Sequence, residues 1–277
     1  MSGVKHGPGY GEATLISDVQ AGKADLGWAG TRAFDLVGAP AFGPLHAPML
    51  IDSYALQQEL LSGDLVEPML TSLDGIGLRG IGVLPGPLRR PLANCQLLAP
   101  GDWSGARMGY QGGKQIERSL RALGAEPHPV PSGASTLAGL DGIEQHLSAI
   151  VGNRYQHQAP YLTGNVVLWP RPYVVFAGRG VTAAHVEILR EAAQAAAPAV
   201  LEAVRRNEHE RLDVACRQGM QVATASAAEV SALRQAFGPV YANLERDESA
   251  RDAITEIARM RQSLGVPPDA VRCGASE

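Results

Sequence analysis

Residues 100–131, PGDWSGARMGYQGGKQIERSLRALGAEPHPVP, read as turn, strand, helix, turn, strand. Asp102 can cap the opening turn, and residues 106–110 form a short extended stretch. Gln111, Gly112 and Gly113 break it; Ile116, Leu120 and Leu123 then recur at i, i+4 and i+7, the spacing that gathers apolar side chains on one helix face. Gly124 supplies a residue free to take the left-handed conformation just past the helix end. Such a βαβ unit places whatever follows its first strand at the carboxyl edge of a sheet, where open α/β folds bind ligands.

Composition narrows the class further. A chain of 277 residues, 45% hydrophobic and 19% charged, can bury a large core, and at this size a core tends to divide into two lobes. A net charge of −4, with no Lys/Arg run interleaved with aromatics, argues against a nucleic-acid partner. No apolar run is long enough to span a bilayer, and the opening MSGVKHGPGYGEATL carries no apolar leader segment. Cys95, Cys216 and Cys273 show no spacing of a disulfide framework or zinc site, and the seven histidines fall in no ligand motif. Glu144 and His146, two positions apart, read as a solvated or core-edge pair. Neither metal nor cofactor is expected.

In chain order, Gly7-Pro8-Gly9-Tyr10-Gly11 has a loop composition. Leu15, Ile16 and Val19 give residues 13–21 helical spacing, and residues 24–31 (ADLGWAGT) read as a buried strand running into a loop, with Trp28 and Arg32 near its end. Asp52 or Ser53 opens a helix to about Gly63, and Asp64 another to Gly75. Gly75, Gly77 and Gly80 match a nucleotide-loop spacing, but a helix precedes them and Pro85 and Pro87 forbid one after, so no dinucleotide site is expected. Residues 81–84 read as a strand leaving the first lobe. Leu140, Ile143, Leu147 and Ile150 predict a helix over 136–151, and residues 161–176 are extended with an interruption at Trp169-Pro170-Arg171-Pro172. Thr182 caps a long Ala-rich helix to about Arg217 with Pro198 inside it, residues 220–223 form a short strand, and Ser226 opens a last helical region to about Leu264.

The inventory for hydrolysis is poor: there is no G-x-S-x-G turn, no Cys–His motif and no metal cluster. Arg, Trp and Asn at strand ends suit recognition of a small polar molecule in a cleft. The segments DVQAGKADLGWAGT (18–31), HAPMLIDSY (46–54), PGPLRRPLANCQLLAPGDWSGA (85–106), LRALGAEPHPVP (120–131), LDGIEQH (140–146), YLTGN (161–165) and GMQVATASAAEVSALRQAFGPVY (219–241) occur in an order and spacing that carry a resemblance. From about Leu15 to about Arg261 the chain resembles the solute-binding proteins of tripartite ATP-independent periplasmic (TRAP) transporters, the DctP-like family. The resemblance implies an α/β clamshell of the type II periplasmic-binding-protein kind, joined by hinge strands and a long helix. Such a protein closes on a small organic acid outside the cytoplasm, periplasmic or membrane-anchored, and delivers it to TRAP membrane permease subunits without catalysis. On that pattern residues 1–86 with 173–212 form the first lobe and 87–172 with 213–277 the second.

Two departures from the family pattern shape the expected site. Leu15 falls where the family is already in its second helix, so the first lobe is expected to lack its initial strand and helix, with an empty strand position between residues 24–28 and 81–84. The family also carries an Arg four residues after the Gly of a P-x-D-φ-x-G turn, where its guanidinium pairs bidentately with the ligand carboxylate. Counted from Gly105, that position is Gly109. Arg107, on the same strand face, is either its replacement or a surface residue. Arg89 matches the family's G-x-R arginine, and Asn165 its pocket Asn by distance from Tyr173. The expected ligand residues are therefore Arg89 and Asn165, then Arg107, with Trp28, Arg32, Tyr110 and Trp169 as walls. The alternatives are a degenerate paralogue without transport function, or an enzyme on the same clamshell, which a cleft-facing acid–base pair with shifted pKa values would favour.

Overall fold

The computed structural model describes residues 11–274, so residues 7–10 of the opening loop lie outside it. α1 (Glu12–Gln20) buries Leu15, Ile16 and Val19, the face their spacing predicts, and leads into β1 (Leu26–Gly30). After 3₁₀ turns at Thr31–Val37 and Pro40–His46, α2 (Tyr54–Ser62) begins where the Ser53 hydroxyl accepts the Leu56 N–H at 3.2 Å. The helix expected from Asp64 to Gly75 is broken, with only α3 (Glu67–Thr71) α-helical between 3₁₀ turns. Pro68 fits only the first turn of a helix, so the helix restarts there.

β2 (Leu78–Leu84) ends at Pro85, and the chain passes to β3 (Leu88–Ala93) of a second sheet. β4 (Arg107–Tyr110), α4 (Lys114–Ala122) and β5 (Glu126–Pro129) form the expected βαβ unit, with β4 and β5 parallel and Gly124 at φ 87° past the helix. Residues 136–151 are not one helix. β6 (Gly142–Gln145) pairs with β3 and β4, and only α5 (Leu147–Gly152) is helical. Gly142 lies against the Leu92 carbonyl with no room for a Cβ, so a close-packed central strand is what this slot admits.

β7 (Tyr161–Thr163) and β8 (Trp169–Pro170) pair with β3, after which β9 (Tyr173–Gly178) returns to the first sheet. There it lies antiparallel between β1 and β2, with Gly27 and Gly80 both opposite Phe176. The position expected to be empty is thus filled, by a strand from well over half-way along the chain.

α6 (Ala183–Arg217), capped by the Thr182 hydroxyl, runs along both halves. Its Val186 packs with Ile81 and Ala177 of the first sheet, and its Leu212 and Ala215 pack with Ile150 and Leu162 behind the second. β10 (Gln221–Ala223) completes the second sheet in the order β10-β7-β3-β6-β4-β5, with β8 beside β3. α7 (Ala227–Ala236) and α8 (Gly238–Leu244) pack on that sheet through Leu233, Phe237 and Val240. α9 (Glu248–Leu264), expected with them, instead sends Ala253, Ile254 and Ile257 into the core of the first half, where Leu56, Leu60 and Phe42 offer an apolar surface.

Cys216 and Cys273 form a disulfide, against the reading of their spacing. They lie 57 residues apart, and only the return of the tail onto the end of α6 brings them together.

Candidate functional site in the interlobe cleft

The end of β1, the two crossings between sheets and the end of β6 converge on one buried polar cluster. β1 stops at Gly30, and Arg32 follows with its side chain almost wholly enclosed. Its Nη2 donates to Glu12 Oε2 at 2.6 Å, and its Nε donates to the carbonyl of Gln111, which follows β4 on the other side of the cleft. Gly30 N donates to Glu12 Oε1 at 2.9 Å. Arg171, between Pro170 and Pro172 on the second crossing, donates from Nη2 to Glu12 Oε1 at 3.0 Å and from Nη1 to the Tyr173 hydroxyl at 2.7 Å, with its guanidinium 4.9 Å over the Tyr173 ring. From β3, Arg89 pairs Nε and Nη2 with the Glu144 carboxylate, to which Trp169 Nε1 also donates at 3.2 Å. His46 shares a 2.7 Å hydrogen bond with Thr31 Oγ1, and His146 sits at the amino end of α5.

The charges are set by these neighbours. Burial pushes the Glu12 carboxyl up, but Arg32, Arg171 and the Gly30 amide outweigh it and hold it at about 2. Burial, then Arg32 and Arg89, pulls His46 down to about 3, and burial with Arg89, Arg171 and Arg32 pulls His146 well below its ordinary value. Burial lowers Arg32 to about 10, still protonated at neutral pH. Three guanidiniums therefore face two carboxylates and two neutral imidazoles. Arg32 Nη1, Arg89 Nη1 and Arg171 Nε are buried without an acceptor among the described residues.

Of the residues expected from sequence, Arg89 and Arg32 lie in this cluster and Trp169 lies behind it on Glu144. Trp28 is 65% exposed, its ring 6.4 Å from that of Tyr173. Arg107 does not reach the cleft: it is exposed and forks onto Asp141, Nε to Oδ2 and Nη2 to Oδ1, both at 3.1 Å. Asn165 spends both ends of its amide on the backbone of Ala225, accepting from N at 2.8 Å and donating to O at 2.7 Å, because the residue must close the loop after β7. Tyr110 packs in the core between the second sheet and α4, its hydroxyl donating to Glu117 at 3.2 Å. Sequence reasoning missed Glu12, His46 and Arg171, and took Glu144 and His146 for a solvated or core-edge pair although both are buried. A signal for Arg171 existed: a long cation flanked by two prolines inside an otherwise extended run.

The model of the bacterial extracellular solute-binding protein, family 7 (DctP), matches residues 5–247. The C4-dicarboxylate-binding periplasmic protein DctP of Rhodobacter capsulatus is 24% identical over 118 residues, 43% of this chain and 35% of that protein, so the match spans about a third of that relative. A TRAP periplasmic solute-binding protein of Bradyrhizobium sp., solved with galacturonate, superposes with a TM-score of 0.82 at 19% identity, covering 90% of this chain and 85% of that one. Another from Shewanella oneidensis, solved with succinate, gives 0.81 at 17% identity over 90% and 84%. These similarities establish the two-lobed clamshell as the fold. With its family model matched over most of its length, the chain belongs to the bacterial extracellular solute-binding proteins of family 7, the DctP family.

Proposed function

We propose that this protein captures a small organic anion in the cleft between its lobes, outside the cytoplasm, and delivers it to TRAP permease subunits. The observation that carries the reading is the set of three guanidiniums, each keeping one buried nitrogen without an acceptor. A buried donor left unmade costs about 1–3 kcal/mol, which a carboxylate brought into the cleft would relieve. The similar structures that hold galacturonate and succinate hold carboxylates of this kind. A binding role is supported over catalysis because Glu12, His46 and His146 all have pKa values pulled well below 7, leaving no acid–base pair poised to exchange protons near pH 7 in this cluster among the described residues. The Cys216–Cys273 disulfide suits an oxidising compartment. In this reading residues 11–86 with 173–212, joined by α9, close against the remainder.

Calorimetry of a panel of sugar acids, hydroxy acids and dicarboxylates, galacturonate and succinate included, tests the reading. Micromolar or tighter binding of at least one acid is expected. If no member binds below about millimolar, the cleft is not an anion-capture site and the degenerate-paralogue reading takes its place.

A further inference from the structure

We propose that Arg171, with Arg32 beside it on Glu12, is the carboxylate anchor of this cleft, and that the solute it selects carries a single negative charge. The inference rests on the anion-capture reading above and assigns its anchor and its charge. Position 109 offers no place for a clamp: a Cβ there would meet Val130 Cγ2 at 2.9 Å, Leu140 Cδ1 at 3.1 Å and Ile143 Cγ1 at 3.2 Å, all apolar. Arg107 is committed to Asp141 outside the cleft. Of the three guanidiniums in the cluster, Arg89 is fully enclosed and Arg32 nearly so, while Arg171 keeps 17% of its side chain open to solvent. Among the guanidiniums an arriving carboxylate therefore reaches Arg171 first, beside the Glu12 carboxylate, which is 21% open.

The backbone holds that side chain in place. Pro170 and Pro172 fix their own φ on either side of it, and Arg171 N donates to the Pro87 carbonyl at 2.9 Å. That these groups can hold a carboxylate is visible directly, since Arg32, Arg171 and the Gly30 amide already converge on Glu12.

The charge follows from a count over the described residues. Arg32, Arg89 and Arg171 against Glu12 and Glu144, with both histidines neutral, leave one positive charge in a site that is buried except at Arg171 and Glu12, which are partly open. One carboxylate neutralises it. A second would bury an unpaired negative charge, which is costly.

The test uses pairs of probes that differ by one carboxylate: galacturonate against galactarate, and succinamate against succinate. Each is titrated calorimetrically into wild type, Arg171→Met and Glu12→Gln at pH 7.5, with thermal melts confirming that each variant is folded. In any pair that binds, wild type should prefer the singly charged member by about tenfold or more, and Arg171→Met should weaken it by at least about 30-fold. Glu12→Gln keeps the shape but adds one net positive charge, so it should shift the ratio toward the dianion by about tenfold. A wild-type preference for dianions, an Arg171→Met affinity within about threefold of wild type, or an unchanged ratio in Glu12→Gln overturns the assignment while leaving anion capture standing. If Arg171→Met does not fold, the wild-type preference and the Glu12→Gln ratio decide. If wild type binds no organic acid at all, the failure lies in the anion-capture reading, and the anchor falls with it.

Discussion

Arg107 and Gly109 stand two positions apart on one strand, yet one side chain ends in solvent on Asp141 and a side chain at the other would end among Val130, Leu140 and Ile143. The family pattern suggests that Gly109→Arg would restore a clamp; the packing says otherwise. Overfilling such a site costs about 1–3 kcal/mol. The expected outcome is a lower melting temperature with no gain in organic-acid affinity, and tighter acid binding by this variant would show that the side chain finds the cleft after all. The buried titrating groups supply a second test at this scale. Glu12 has its pKa depressed from 4.5 to about 2, so the stability it contributes is present above about pH 4.5 and is lost as pH falls toward 2. His46 is depressed from 6.5 to about 3, so below about pH 6.5 the unfolded chain takes up a proton that the folded form refuses. Both slopes have the same sign, and each proton of difference is worth up to about 1.4 kcal/mol per pH unit. Melting temperature should fall steadily from pH 7 to pH 4, and His46→Gln should make the part between 6.5 and 4.5 shallower, with the buried His146 carrying the slope that remains. A flat wild-type profile from pH 7 to pH 5 would contradict the assignment of His46 as buried and neutral.

At the scale of elements, the two crossings behave as one unit. Gly86 on the first lies so close to the Arg171 carbonyl on the second that a Cβ there would overlap it. Gln57 braces the same point from α2, donating to the Gly86 carbonyl at 3.0 Å and accepting its N–H at 2.7 Å. Gly86→Ala must therefore push backbone against backbone, where no side-chain rotation gives relief. It is expected to cost about 1–3 kcal/mol and to weaken organic-acid binding together with stability, because the displaced segment carries Arg171. Loss of stability with affinity unchanged would mean that the crossing is structural only. This contact was not legible in the sequence. PGP and WPRP each mark a turn, but their meeting depends on strands far apart in the chain pairing in both sheets, β2 with β9 and β3 with β8.

For the whole molecule, the tail after α9 acts as a strap across both halves. Asp269 N donates to the Asp52 carbonyl at 2.9 Å on the first half, Val271 N donates to the Gly164 carbonyl at 3.1 Å on the second, and Arg90 Nη2 donates to the Asp269 carbonyl at 2.8 Å between them. Under it lies a buried group in which the Glu208 carboxylate accepts from both Arg90 and the Tyr54 hydroxyl. The Cys216–Cys273 disulfide pins the far end of the strap to α6. Closing a loop of this length stabilises a chain by about 2–4 kcal/mol. Cys273→Ser, or reduction of wild type, should lower the melting temperature correspondingly. Cys95, exposed and unpaired among the described residues, makes Cys95→Ser the control that should not. Equal melts of Cys273→Ser and wild type under non-reducing conditions would show that hydrogen bonds alone hold the strap.

What sequence determined by itself was local or carried by order. The spacing of Ile116, Leu120 and Leu123 with Gly124 behind them marked α4, Thr182 marked the start of α6, and the order of motifs marked the family, because each depends on residues near in the chain or on a pattern spread along it. Tertiary structure decided the rest. An apolar spacing over 140–150 fits helix or strand equally, and only the close-packed slot between β3 and β4 made residues 142–145 a strand. The place between β1 and β2 had no neighbour in sequence to announce that β9 would fill it. Within the site, Arg89 and Arg32 were legible as cations at strand ends. Their partners Glu144 and Glu12 were not, since a carboxylate's role is fixed by which guanidinium the fold sets beside it, and that is a property of convergence rather than of any one stretch.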